Sequence, residues 1–422
     1  ADIEQIIRET LKEFETRGVE QDDLIKAKAQ METGFVFGLQ SVSGKVSQLA
    51  ANQTFTGNPN YIEQDIARYA NVTKEDVLRV YQQYIKGKHA VIMSVVPNGK
   101  PEMVAAKDSF IPAKREIAAQ STTSADDLTL RKTPKTFERS IMPLAGKNKA
   151  VDVPQMWRQD LANGMEILGT QSLETPTSSI LIKIPAGHYY EDKEKAGMVA
   201  LLANMLNEST TERSGEEMSK ELQKLGSAVY ISAGDHYLSV NINALTKNIE
   251  ATMTLVNEKL MQPAFLESEF NRNKNNAIQG AINSKKNAGY LASTAYRQLL
   301  HADNIAATPG GGSEGSLANI GLGDIKAFYQ QQIKAFGSQI VIVSDLDKQE
   351  ALSKIKLLAN WQGKGQPLDL TLPKPDTEMG VIYLVHKDNA AQSAIRIGKR
   401  SLKEDITGEY YKAYLMNFPL GG

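Results

Sequence analysis

The stretches ANVTKEDVLRVYQQYIK (residues 70–86) and ANIGLGDIKAFYQQQIK (residues 318–334) decide how the chain is built. Aligned without gaps, eight of their seventeen positions are identical, and a hydrophobic run of strand character follows each. In the first, Thr73 and Asp76 have the spacing of a capping box: the hydroxyl caps the helix and the acid returns to the cap N–H. Val77, Val80, Tyr81 and Tyr84 carry that helix to Gly87. Self-similarity across so long a separation implies duplicated domains rather than a short solenoid repeat.

Working outward from the first copy, residues 2–17 predict an amphipathic helix with Ile3, Ile6, Ile7, Leu11 and Phe14 on one face, ended by Gly18. A second helix starts near Asp22 and a third covers about 43–54. Ala90 to Val96 is short, apolar and β-branched, the pattern of a buried strand closed by Pro97-Asn98-Gly99. Residues 101–155 change character, and 118–127, small and polar, reads with 132–135 as a linker.

Around the second copy, residues 156–364 read as a complete α/β domain. Strands are expected at 165–169, 178–186, 229–232, 238–244 and 339–344. Helices are expected at about 195–207, 214–225 (capped by Ser214), from 248 to before Pro263, from 267 onward, and at 324–335. After Pro373 and Pro375 a third unit begins, with strands at 381–385 and 393–398 and a helix at 409–416. Those two strands have unpaired edges, and are expected to pair either with another part of the chain, such as residues 1–112, or with a neighbouring copy, or else to be mobile. The helical opening without Met or a signal peptide, and the close at a turn signal, read as cuts in a longer chain.

Composition narrows the chemistry. The chain has 422 residues, enough for two or three domains, with 41% hydrophobic and 23% charged residues. A net charge of -1 offers no field for nucleic acid. No apolar run is long enough for a transmembrane segment. The absence of cysteine excludes disulfides, thiolate metal sites and cysteine nucleophiles. His89, His188, His236, His301 and His386 are too far apart to put two ligands one turn apart on a helix, so each reads as a surface or satisfied residue. The run from Gly310 to Gly315 lacks the following Lys of a phosphate loop and reads as a flexible connection between helices. Asp345 and Asp347, after a strand, read as a solvated turn. From the residues alone the chain is an α/β scaffold without a catalytic constellation.

The order of several short motifs resembles one family. Gly197-Met198-Val199-Ala200, Thr210-Thr211-Glu212-Arg213-Ser214, Leu225-Gly226 and Pro263-Ala264-Phe265 occur as in a domain of the insulinase-type (pitrilysin) zinc metallopeptidases. So does the tail from Asp388-Asn389-Ala390-Ala391-Gln392-Ser393 to Leu420-Gly421-Gly422. The helices around Lys26 to Gln30 and after Thr73 look like the family's second domain. The resemblance covers nearly the whole chain except the linker.

It implies an α+β fold of tandem duplicated domains, each a mainly antiparallel sheet packed by helices, closing like a clamshell. The implied divisions are 1–112 (C-terminal part of a preceding domain), 113–155 (linker), 156–364 (complete degenerate domain), 365–374 (linker) and 375–422 (start of the next domain). Active members carry His-x-x-Glu-His on the helix after Gly197, two His holding zinc and the Glu taking a proton from bound water. On this sequence those positions are Ala200, Ala203 and Asn204, and the third-ligand region, Asn276 to Ala281, has no acid. The resemblance therefore implies a fragment that is itself inactive and holds no cofactor or metal. Zinc is expected in an upstream half of the parent protein. The implied role is the non-catalytic portion of a zinc-dependent metalloendopeptidase that encloses and positions a peptide or protein substrate and packs against the catalytic half. The alternative is a wholly inactive relative acting as a structural or partner subunit of a peptidase complex. A periplasmic setting follows only from the family's bacterial members.

Overall fold

In the computed structural model the described residues are 2–104, 140–142, 144, 146–147, 150, 153–368, 370–372, 381–405 and 408–420. The linker at 118–135 lies outside them. Helices α1 (Asp2–Arg17), α2 (Gln21–Gly38), α3 (Val42–Thr56), α4 (Ile62–Ala70) and α5 (Lys74–Tyr84) come first. Then follow β1 (Met156–Asp160), β2 (Glu166–Gln171), β3 (Thr177–Ile184), α6 (Met198–Asn207), α7 (Gly215–Lys224), β4 (Ala228–Ala233) and β5 (Leu238–Leu245). The rest are α8 (Ile249–Met261), α9 (Glu267–Ser284), α10 (Ala288–His301), α11 (Glu314–Ala318), α12 (Leu322–Gln332), β6 (Gln339–Ser344), α13 (Lys348–Lys354) and α14 (Glu409–Asn417). The chain divides into two units, Ala1–Gln21 with Thr73–Val153, and Asp22–Val72 with Pro154–Gly422.

In the first unit α1 and α5 pack through Tyr81. Its ring meets Phe14 edge-on with centroids 5.0 Å apart, and its hydroxyl donates to Glu15 at 2.8 Å. Thr73 and Asp76 form the expected capping box of α5. The expected buried strand from Ala90 to Val96 is instead irregular, and Val91 is fully exposed. The physical reason is pairing. The matching strand after the second repeat, β6, is flanked by β2 and β3, whereas no other strand lies in the first unit among the described residues. A lone β-branched run cannot satisfy its backbone and takes no ladder.

The second unit is α+β. Its six-stranded sheet has the order β1-β2-β6-β3-β5-β4, antiparallel throughout except for the parallel pair β2 and β6. Central β3 (TSSILIKI) has Ile180, Ile182 and Ile184 buried on one face, in register with Ile342 and Ile340 of β6 and with Ile242 and Val240 of β5. Helix α6 (MVALLANMLN) is apolar around most of its circumference and is buried at Leu201, Leu202, Met205 and Leu206. Helices α8, α9 and α12 complete its surroundings through Met253, Val256, Phe270, Ile325 and Phe328. The second repeat ends on the core as the first ends on α1. Tyr329 packs edge-on against Phe265, donates to the Leu260 carbonyl at 2.7 Å, and has its hydroxyl pushed up to about 12 by burial.

Strand β1 and helices α4, α10, α11 and α13 escaped the sequence reading. Strand β1 caps the β2 edge, and α10 starts from an Asn287 cap whose following Ala288-Gly289 looks like a turn. The strands expected at 381–385 and 393–398 are irregular and largely exposed, and no sheet ladder joins them to residues 1–112 among the described residues. The fate of these segments follows the same rule as Ala90 to Val96. Without a neighbour at ladder distance, β propensity does not make a strand.

Ile182 is fully buried at the middle of β3. Ile182→Ala is expected to lower unfolding stability by about 2–5 kcal/mol, read from the midpoint of chemical denaturation with the slope unchanged.

Candidate functional site

Helix α6 enters after Gly197, whose φ of +99° suits glycine. A Cβ there would stand 2.9 Å from Leu317 and 3.0 Å from the Gly311 carbonyl. Gly312 faces it with φ +78°, and a Cβ on Gly312 would meet the Ala196 carbonyl at 2.4 Å. Ser316 also donates to that carbonyl at 2.9 Å. The glycine run is therefore a close-packed brace on the start of α6, which corrects its reading as a flexible connection.

The first turn of α6 is held by Glu191. One carboxylate oxygen accepts from the Gly197 N–H at 2.9 Å and the other from the Val199 N–H at 2.5 Å. Negative charge at a helix N-terminus satisfies orphan donors and favours the macrodipole. His188, 1% exposed, pairs through Nδ1 with Glu191 at 2.8 Å. Its Nε2 lies 3.2 Å from the Thr308 carbonyl and 3.1 Å from the Thr308 hydroxyl. Burial pushes the His188 pKa down, but Glu191, the Thr308 carbonyl and the charge of Asp235 together outweigh it and the net shift is upward.

The far end of α6 is held by Lys259, which donates to the Asn207 carbonyl at 2.9 Å. Burial brings Lys259 down to about 8, with Glu208 and Glu258 pulling the other way. Thr210 donates to Glu258 at 2.5 Å, and Arg213 also pairs with that carboxylate. Ser209 donates to buried Glu269 at 2.5 Å, and the second oxygen of Glu269 has no partner.

A cavity of about 350 Å³ lies between α6 and the edge strand β4. Ala200, Ala203 and Asn204 line it from the helix. Residues 230–235 line it from the strand and its turn, with His188, Gly310 and Gly311 at one end. The three helix positions singled out in the sequence thus meet in one cavity. The third-ligand region sits on α9 and does not line it; Ala277, Ile278 and Ala281 pack on the core instead. Two methyl groups and a neutral amide are no donor set for zinc, and His188 already spends both ring nitrogens. The residues present do not fit the metal. Among the described residues, no three His, Cys, Asp or Glu side chains gather to hold an ion. No helix there is long and apolar enough to cross a membrane. Asp345 and Asp347 are structural rather than a solvated turn: Asp345 accepts from Thr246, and Asp347 caps α13.

Glu191, Lys259 and Asn207 were missed by the sequence reading. Glu191 stands in a run of charges, and only its three-residue spacing from His188 could have marked it. The network's pH response follows from its shifts. A histidine raised in the fold adds stability that is complete below its ordinary value of 6.5 and is lost as pH rises through the higher folded value. Glu191→Gln is therefore expected to cost about 1.5–3 kcal/mol at pH 6, with a smaller deficit at pH 8 in urea unfolding. A lysine lowered to about 8 holds fewer protons folded than unfolded between there and its ordinary 10.5. Wild type is accordingly expected to gain stability relative to Lys259→Met as pH rises from 8 to 10, and a flat difference would contradict the burial argument.

Comparison with known proteins finds one family model that matches part of the chain. The description "Insulinase (Peptidase family M16)" matches residues 167–310, from β2 to the glycine brace. "Non-peptidase homolog YmxG" of Helicobacter pylori is 23% identical over 251 residues, 58% of this chain and 57% of that protein. Mitochondrial-processing peptidase subunit alpha-1 of Dictyostelium discoideum is 27% identical over 109 residues, 26% of this chain and 16% of that protein. The chain thus spans little more than half of the first relative and a small part of the second. The crystal structure of a peptidase M16 inactive domain from Pseudomonas fluorescens superposes with a TM-score of 0.49 and 23% identity, over 52% of this chain and 54% of that one. Residues 167–310 of this chain thus match the insulinase peptidase family, M16.

Proposed function

We propose that this chain is the non-catalytic portion of a zinc-dependent metalloendopeptidase, enclosing and positioning a peptide or protein substrate and packing against the catalytic half. The observation that carries the reading is the cavity beside α6. Ala200, Ala203 and Asn204 have the spacing of the first His, the Glu and the second His of the inverted zinc motif, and all three line it. The pocket lies between helix and sheet edge, and these three positions offer no metal donor set. On this reading residues 1–112 end a preceding domain, 156–364 form the degenerate domain and 375–422 begin another, with zinc in an upstream half and the periplasm as the compartment. The Helicobacter relative, a non-peptidase homologue by name, favours a second reading: a wholly inactive subunit of a peptidase complex.

The test is cleavage of a fluorogenic peptide by this chain and by a longer natural chain containing it, each with and without a zinc chelator. Zinc-dependent cleavage by the longer chain alone is the expected result. Cleavage by neither favours the second reading, and zinc-dependent cleavage by the 422-residue chain overturns both. The assignment of positions has its own check. The triple variant Ala200→His, Ala203→Glu, Asn204→His is expected to retain one zinc ion beyond wild type in equilibrium dialysis, and no added uptake would show that the helix face is misassigned.

A further inference from the structure

Strand β4 lies at the end of the sheet, with β5 its sole neighbour in the ladder. The turn beyond it sets which groups face outward. The Gly234 N–H donates to the Tyr237 carbonyl at 2.8 Å, so Gly234, Ser232 and Tyr230 direct their backbone bonds toward β5. By the same alternation Val229, Ile231 and Ala233 direct theirs away from the sheet. These three residues are what an added strand would use.

The middle one is already taken. The Ile231 N–H donates to Oδ1 of Asn207 at 3.0 Å, and Nδ2 of Asn207 donates to the Ile231 carbonyl at 2.8 Å. That is the pair of bonds one residue of an antiparallel strand would make. The amide is aimed by a third bond, from Nδ2 to the Ala203 carbonyl at 2.9 Å. Asn207 is one turn beyond Asn204, and the cavity is lined by residues 230–235 beside Ala200, Ala203 and Asn204. By holding Ile231, Asn207 ends the run of outward backbone groups that the cavity offers. At about 3.3 Å per residue, the stretch beyond Ile231 gives an extended chain a single outward pairing position, Ala233.

We propose that Asn207 is the specificity-determining residue of this cleft, an end-stop that prevents a long extended peptide from pairing along β4 and admits only a short extended segment beside Ala233 and Asn204. The proposal rests on the reading above that the cleft receives peptide. The small helix side chains Ala200 and Ala203 leave the room for that segment's side chain, and the amide of Asn204 offers it both a donor and an acceptor.

The experiment uses the 422-residue chain. Residue-resolved amide exchange should show Ile231 exchanging on the order of a hundredfold more slowly than Ala233. Equal rates would mean that Asn207 does not hold the strand, and would overturn the proposal without any variant. Binding is then read by anisotropy with two fluorescein-labelled peptides of alternating threonine and valine, three and nine residues long. Wild type should bind both alike. Asn207→Ala, or Asn207→Ser if the first fails to fold, should bind the longer about tenfold tighter, the effect of roughly two more backbone hydrogen bonds. Tighter binding of the longer peptide by wild type would sink the end-stop while leaving the peptide-positioning reading intact. Binding of neither peptide by either protein would overturn that reading, and the end-stop with it.

Discussion

The second unit depends on how α6 is held between two buried charges of opposite sign. Glu191 closes the N-terminal amides and Lys259 the C-terminal carbonyl, each the sign that complements the helix dipole at its end. A ten-residue helix is too short to be stable by propensity, so its position must come from tertiary contacts. Four apolar side chains anchor its buried face, but apolar packing tolerates sliding. Hydrogen bonds from ionised groups fix the axial register, because a shift of one residue would strand a carboxylate or an ammonium in the interior. That register sets Ala200, Ala203 and Asn204 against the cavity and Asn207 against Ile231.

The glycine brace extends the same constraint. Gly197 and Gly312 approach so closely that a side chain on either would meet backbone, and His188 ties the brace to Glu191 through Thr308. The start of α6, the turn after β3 and the segment before α11 are thereby one block. The hydrogen bonds from 187–189 to the tip of the β4–β5 hairpin bring the sheet edge into it as well. The cavity wall is built from backbone and small residues, which is why its outline does not need large side chains to support it.

Much of this was legible because helix signals are local. The capping box at Thr73, the cap at Ser214 and the stops at Gly18 and Gly87 need only near neighbours, and those helices lie where the sequence puts them. The strands at Met165 to Gly169, Ser178 to Ala186 and Gln339 to Ser344 also formed, since each finds its partner within the same unit. The runs at Ala90 to Val96, Val381 to Val385 and Ser393 to Gly398 have equal β character and no ladder partner among the described residues, and a one-dimensional pattern cannot tell the two cases apart. The tyrosine shared by the two similar stretches has a structural cause: Tyr81 and Tyr329 do the same work, stacking edge-on against a Phe and anchoring a neighbouring helix by the hydroxyl. At the site, Ala200, Ala203 and Asn204 were found by spacing, whereas Asn207 acts on a strand distant in sequence and carries no local mark.

How such a domain keeps its shape with silent helix positions follows from where the stabilising contacts sit. In a small metal-dependent fold the ligands supply folding free energy, and losing them unfolds the chain. Here the ends of α6 are held by Glu191 and Lys259, its core face by Leu201, Leu202, Met205 and Leu206, and its entry by two glycines. None of those residues is among the three that face the cavity. Alanine, the best helix former, stands at two of these positions. The small side chains leave a volume that opens toward the edge of β4, where an unprotected strand would invite pairing with any extended chain. Asn207 meets that liability by satisfying Ile231 from within the same helix. The separation of holding residues from facing residues makes the geometry of the cavity independent of which side chains face it.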